Sequence, residues 1–118
     1  MRLNHLNLAV PDVDEAARFL TTHFGLREIH RIKDFIAILL DETGFVLAVS
    51  RTPQDPQPVY PGIFHVGFNQ ATDTDVDAVY QRLKGAGVSI DRAPGRVHGT
   101  YNFYFKALGD VMFEVSAV

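Results

Sequence analysis

The stretch Phe64-His65-Val66-Gly67-Phe68 decides how this chain is read. It lies just past the midpoint of 118 residues and restarts the pattern that opens the chain, His5-Leu6-Asn7-Leu8-Ala9-Val10. The two histidines stand 60 residues apart, close to half the length. Further on, Leu47-Ala48-Val49-Ser50 is matched by Phe113-Glu114-Val115-Ser116. A repeat of this kind governs the choice of fold and has to be found before any single element is assigned.

Residues 3–10 alternate as a strand does. Leu6, Leu8 and Val10 face one side, and Leu3, His5, Asn7 and Ala9 the other. The first set suits a helix-packing face; the second carries an imidazole and an amide and faces something polar. Pro11-Asp12 stops the strand, with Asp12 as N-cap and Glu15 three residues on. Val13, Ala16, Ala17, Leu20 and Phe24 recur at helical spacing, and Gly25 ends that helix. Residues 26–31, 35–40 and 45–51 read as three strands, with turns at Lys33-Asp34 and Asp41-Glu42-Thr43-Gly44.

Residues 52–62 hold Pro53, Pro56, Pro58 and Pro61, four of the six prolines. Proline cannot donate to a sheet, so this segment is an extended linker. The pattern then starts again. Residues 63–69 form a strand and 72–86 a helix with Val76, Val79, Tyr80 and Leu83 on its apolar face, ended by Gly85 and Gly87. Residues 88–92, 100–106 and 111–118 are the remaining strands, and 93–99 a loop. Tyr101, Phe103 and Phe105 alternate and belong on the helix side of their sheet.

The expected fold is therefore α+β, two tandem βαβββ modules (1–51 and 63–118) forming a barrel-like cleft. The chain makes one domain, with 52–62 as the linker between modules. Each module covers one sheet face with its helix, and the open faces should pair around a cleft.

Composition narrows the classes of function. Hydrophobic residues make up 47% and charged ones 21%, as in ordinary globular proteins. Net charge is −3 with the signs interspersed, so no basic footprint for nucleic acid is expected. No apolar run nears the roughly 18 residues a membrane span needs, and the first residues are expected to form a strand rather than a signal peptide. Cysteine is absent, which rules out disulfides and thiolate metal sites and makes the cytoplasm the default location.

Three side chains stand out on the open faces. His5 and His65 open equivalent strands, and Glu114 sits in the last strand where an uncharged residue is expected. Two imidazoles and a carboxylate suit a first-row divalent ion, Fe2+, Mn2+ or Zn2+, and leave positions open for water and substrate. Ala48 occupies in the first half the place of Glu114 in the second, so no fourth ligand is expected. Asn7 and Tyr104 are the candidate catalytic groups, Asn7 as a hydrogen-bonding group and Tyr104 as proton donor or orienter. Asn69 shares the face of His65, and Arg96 and His98 lie in a Gly-bearing loop able to close over a site. His23 and His30 have no repeat partner and receive no role.

The whole chain resembles the vicinal oxygen chelate superfamily of glyoxalase I, extradiol dioxygenases, fosfomycin-resistance enzymes and bleomycin-resistance proteins. Residues 3–10 resemble its first strand, and Phe103-Tyr104-Phe105 with Phe113-Glu114-Val115 its closing hairpin. The resemblance implies that His5, His65 and Glu114 bind the metal, which acts as a Lewis acid on adjacent substrate oxygens. It implies a metal-dependent enzyme acting on a small oxygenated molecule, and a homodimer whose sites take the first His from one subunit and the remainder from the other. Ala107-Leu108-Gly109-Asp110 replaces the family's Asp-Pro-x-Gly turn, and Ala48 stands where glyoxalase I has a further Glu ligand and base. Asn7, Pro94, His98 and Asn102 stand where the fosfomycin enzymes bind their phosphonate, and of that set only Tyr104 is kept. The alternative is a metal-free module that sequesters a small molecule, as bleomycin-resistance proteins do. Those proteins generally lose the His/His/Glu set that this chain retains.

Overall fold

The computed structural model describes residues 1–118 and divides into two compact units, Met1–Pro58 and Val59–Val118. In the first unit the order is β1 (His5–Ala9), α1 (Val13–Phe24), β2 (Arg27–Ile32), β3 (Ile36–Leu40) and β4 (Val46–Ser50). In the second it is β5 (His65–Asn69), α2 (Asp73–Gly85), β6 (Gly95–Val97), β7 (Thr100–Ala107) and β8 (Val111–Ala117). The sheets run β1-β4-β3-β2 and β5-β8-β7-β6, each with one parallel pair and two antiparallel pairs. The α+β class and the tandem βαβββ topology are thus as expected. Each sheet ends in two free edge strands, so neither closes on itself as a barrel. No helix is long and apolar enough to cross a membrane.

Both helices start at the residues their caps specify. The Asp12 carboxylate accepts the backbone N–H of Glu15 at 3.0 Å, and the Thr72 hydroxyl accepts that of Asp75 at 3.1 Å. Gly25 closes α1 in the left-handed region at φ 68°, where a side chain would be strained. Alternation then sorts the strands by face. Under α1 lie Leu8, Leu39, Leu47 and Val49; under α2 lie Phe103, Phe105, Phe113 and Val115, all buried. Tyr101 reaches the same side, its hydroxyl donating to Asp77 of α2 at 2.6 Å.

The third strand of the second unit differs from expectation. Residues 88–92 are outside the sheet, and β6 lies within the segment read as a loop. The reason is a two-residue hairpin. Val97 pairs with Thr100, and the intervening His98 and Gly99 take φ 51° and 86°, as a type I′ turn requires. That turn fixes the register, and the pairing stops at Gly95, before Pro94, which has no N–H to donate. Arg96 does not close over an open face. Its guanidinium is tied to Asp73 at the start of α2 at 2.6 Å and lies over the Tyr101 ring.

Candidate metal centre

In the second unit, His65 and Glu114 come together. Parallel pairing of β5 with β8 sets Gly67 beside Glu114, and His65 sits one side-chain step along the same face. His65 Nε2 lies 3.4 Å from Glu114 Oε1. The imidazole is 41% exposed and the carboxylate 17%. A Cβ at Gly67 would lie 3.9 Å from Oε1, so the glycine keeps that side of the carboxylate uncrowded.

The imidazole is oriented from behind. The chain turns at residues 61–64, where the N–H of Phe64 donates to the carbonyl of Pro61, and Phe64 stacks on Tyr60. The carbonyl of Ile63 then accepts His65 Nδ1–H at 3.0 Å. A carbonyl can only accept, so Nδ1 carries a proton, and in the neutral imidazole the lone pair is then on Nε2, the atom facing Glu114. His5 follows the same rule in the first unit, with Nδ1 donating to Asn4 Oδ1 at 2.7 Å. Fixing the tautomer through the far ring nitrogen is the usual preparation of a histidine ligand.

This pair fits a first-row ion. Two ligands about 2.1 Å from a cation at a tetrahedral angle lie about 3.4 Å apart, the separation found between Nε2 and Oε1. No group of three His, Cys, Asp or Glu side chains with metal-site geometry occurs; His65 and Glu114 lie in the second unit and His5 in the first.

Tyr104 is directly opposite Glu114 across the β7–β8 ladder, and its ring meets His65 edge-on with centroids 5.8 Å apart. Partial burial, reinforced by a hydrogen bond to Glu114 and its charge, raises the phenol above its ordinary value; the Arg92 charge opposes this weakly. The hydroxyl is therefore protonated at neutral pH and acts as a donor. Asn7 lies opposite Ala48 in the first unit, and its Oδ1 accepts from Ser50 Oγ at 2.6 Å. The ladders thus confirm that Ala48 and Glu114 are equivalent places. Asn69 pairs with Ser116 further along β5.

One group beside the carboxylate, noted from sequence only as standing at a fosfomycin-enzyme phosphonate position, has a different part here. Asn102 faces the same side as Glu114, yet is only 3% exposed. Its Nδ2 donates to Glu114 Oε2 at 3.1 Å and to Thr100 Oγ1 at 3.0 Å, while its Oδ1 accepts from Arg92 Nη2 at 3.1 Å. The available signal was a lone amide in the aromatic run 101–105. Arg92 carried no signal, because its segment read as a strand.

Comparison with known proteins agrees with this architecture. The family model for the Glyoxalase/Bleomycin resistance protein/Dioxygenase superfamily matches residues 2–115. A possible glyoxalase from Bacillus cereus is 37% identical, with a TM-score of 0.87 over 98% of this chain and 97% of that one. A genomically encoded fosfomycin resistance protein from Listeria monocytogenes has 24% identity and a TM-score of 0.79, covering 100% of this chain and 93% of that one. A lactoylglutathione lyase from Agrobacterium tumefaciens has 17% identity and a TM-score of 0.80, covering 98% and 92%; these two likenesses concern the fold. A search among proteins of curated function gave no significant match. From strand order, module repeat and family match together, the chain belongs to the Glyoxalase/Bleomycin resistance protein/Dioxygenase superfamily.

Proposed function

We propose that this protein is a cytoplasmic, metal-dependent enzyme of the vicinal oxygen chelate type, acting on a small oxygenated organic molecule. His5, His65 and Glu114 would hold the divalent ion. The observation that carries this reading is the 3.4 Å approach of His65 Nε2 to Glu114 Oε1, with Nδ1 already committed to the Ile63 carbonyl. When bound, the ion supplies Lewis-acid polarisation of adjacent substrate oxygens.

The chain's own groups do the remainder. Tyr104 keeps its proton and presents a hydrogen-bond donor beside the carboxylate. The Ser50 hydroxyl engages Asn7 Oδ1, leaving both Nδ2 hydrogens to bind and orient a substrate oxygen. With Ala48 in place of a second carboxylate, the first unit has no base at the position equivalent to Glu114. This favours chemistry other than proton abstraction by a paired Glu.

Two of the three ligands in this reading, His65 and Glu114, lie in the second unit, and the third, His5, in the first. We propose a homodimer in which His5 of one subunit completes the His65–Glu114 pair of the other. The test is metal content after purification without chelator and reconstitution with Fe2+, Mn2+ or Zn2+. One ion per chain is expected, with affinity reduced at least tenfold in each of His5→Ala, His65→Ala and Glu114→Ala. Absence of stoichiometric metal, or three variants that bind as wild type does, would end the metal reading. Small-molecule binding that survives chelation would point instead to a sequestering module. A monomer by sedimentation at micromolar concentration with full metal binding would reject the shared site.

A further inference from the structure

We infer that Arg92 and Asn102 are positioning residues for Glu114, forming a relay that commits one carboxylate oxygen to the protein and leaves the other for the cation. The inference rests on the metal-centre reading above and adds to it which oxygen binds and what holds the carboxylate in place.

A primary amide can present either end to a neighbour, and only its NH2 end suits a carboxylate. Here the choice is forced from the far side. Arg92, a donor with no acceptor capacity, reaches Asn102 Oδ1 at 3.1 Å. The carbonyl end must therefore face the guanidinium. Both Nδ2 hydrogens are then spent, one on Thr100 Oγ1 and one on Glu114 Oε2. Oε2 is tethered, Oε1 faces His65 Nε2, and the carboxylate is set to bind through Oε1 alone.

Two further features support the relay. Among the open-face positions of β7, Asn102 is the one that is nearly sealed from solvent, while Tyr104 and Lys106 remain exposed. A buried amide is stable only where its hydrogen bonds are met, and here they are met at both ends. Gly95 stands opposite Asn102 in the β6–β7 ladder. A Cβ there would lie 3.0 Å from Arg92 Nη1, so the guanidinium would have to give by a few tenths of an ångström. The glycine thus leaves space beside the arginine.

Co2+ is the probe, because its visible absorption reports carboxylate orientation as well as occupancy. Expected results are roughly 10- to 100-fold weaker Co2+ binding in Asn102→Leu, with an altered absorption spectrum. Weaker binding is also expected in Arg92→Met, with substantial recovery in Arg92→Lys. The arginine variant discriminates well: removing a positive charge near a cation site favours the cation by simple electrostatics, whereas the relay requires the opposite. Arg92 is exposed, so its variants decide the matter if Asn102→Leu does not fold. Co2+ binding in Arg92→Met as tight as in wild type, or tighter, overturns the relay while Glu114→Ala still abolishes binding. Failure of the wild type to bind Co2+ removes the metal reading and the relay together.

Discussion

In the first unit, the residue two places beyond the strand histidine is Asn7, and its neighbour across the parallel pair is Ala48. In the second, the same two places hold Gly67 and Glu114. Bulk and polarity have changed strands between the repeats: a polar side chain beside a small residue in each case, but on opposite partners. One backbone plan thus yields a face bearing an amide in the first unit and a face bearing a carboxylate in the second. The cores diverge as well. Beneath α1 the buried residues are aliphatic, whereas beneath α2 Phe103, Phe105 and Phe113 stack with centroids 5.3 to 6.1 Å apart. The strand that carries Glu114 is therefore anchored by rings on its other face.

The largest expected effect comes from this difference in cores. Phe113 and Leu47 occupy equivalent, buried places. Phe113→Ala should cost about 3–5 kcal/mol, and Leu47→Ala less, about 2–4 kcal/mol, since only the former also breaks ring stacking. Urea unfolding of both variants measures the gap. Equal losses would mean that the aromatic stack adds nothing beyond buried area.

The repeat is what made so much of this legible from residues alone. Matching His5 with His65 and Ala48 with Glu114 needs only strand alternation, and alternation is fixed by backbone geometry. The cap Asp12 was legible for a similar reason, since it serves an N–H group three residues away. β6 was not, because a three-residue strand has too short a period to recognise. Its turn residue His98 sits at φ 51°, where glycine, asparagine or aspartate is the usual signal. The contact between Arg92 and Asn102 escaped for a related reason: it depends on a chain reversal that only the hairpin register reveals.

The turns between the last two strands of each unit extend the comparison. In the first, one Asp41 oxygen accepts Thr43 N–H at 2.9 Å, Thr43 Oγ1–H at 2.8 Å and Phe45 N–H at 2.8 Å. Partial burial acts to raise the Asp41 pKa, but these donors outweigh it and hold the carboxyl below its ordinary value of 3.8. A depressed carboxylate stabilises the fold fully above its unfolded pKa, and the contribution is lost as pH falls through the folded value. Asp41→Ala should therefore cost about 1 kcal/mol at pH 7. The gap from wild type should shrink below pH 3.8. Thermal melts at pH 7 and pH 3 check this, and a gap unchanged between them would remove the ionised carboxylate from the explanation.

In the second unit the backbone itself carries the reversal at the corresponding turn. Leu108, Gly109 and Asp110 have φ of 58°, 88° and 63°, so two non-glycine residues hold left-handed angles in a row of three. Such angles cost an ordinary side chain about 1–2 kcal/mol, and aspartate somewhat less. Leu108 is not the place to relieve the strain. It is buried at 7% exposure, and losing its side chain would forfeit about 1.5–3 kcal/mol of burial. Asp110 is exposed and has no burial to lose. Asp110→Gly removes the strain in the folded turn, offset by the greater freedom of glycine in the unfolded chain. The net expectation is a gain of about 0.5 kcal/mol, a rise of about 2–3 °C in Tm. A lower Tm would show that the Asp110 carboxylate, rather than its backbone angle, holds the turn. The contrast with Asp41 would then disappear.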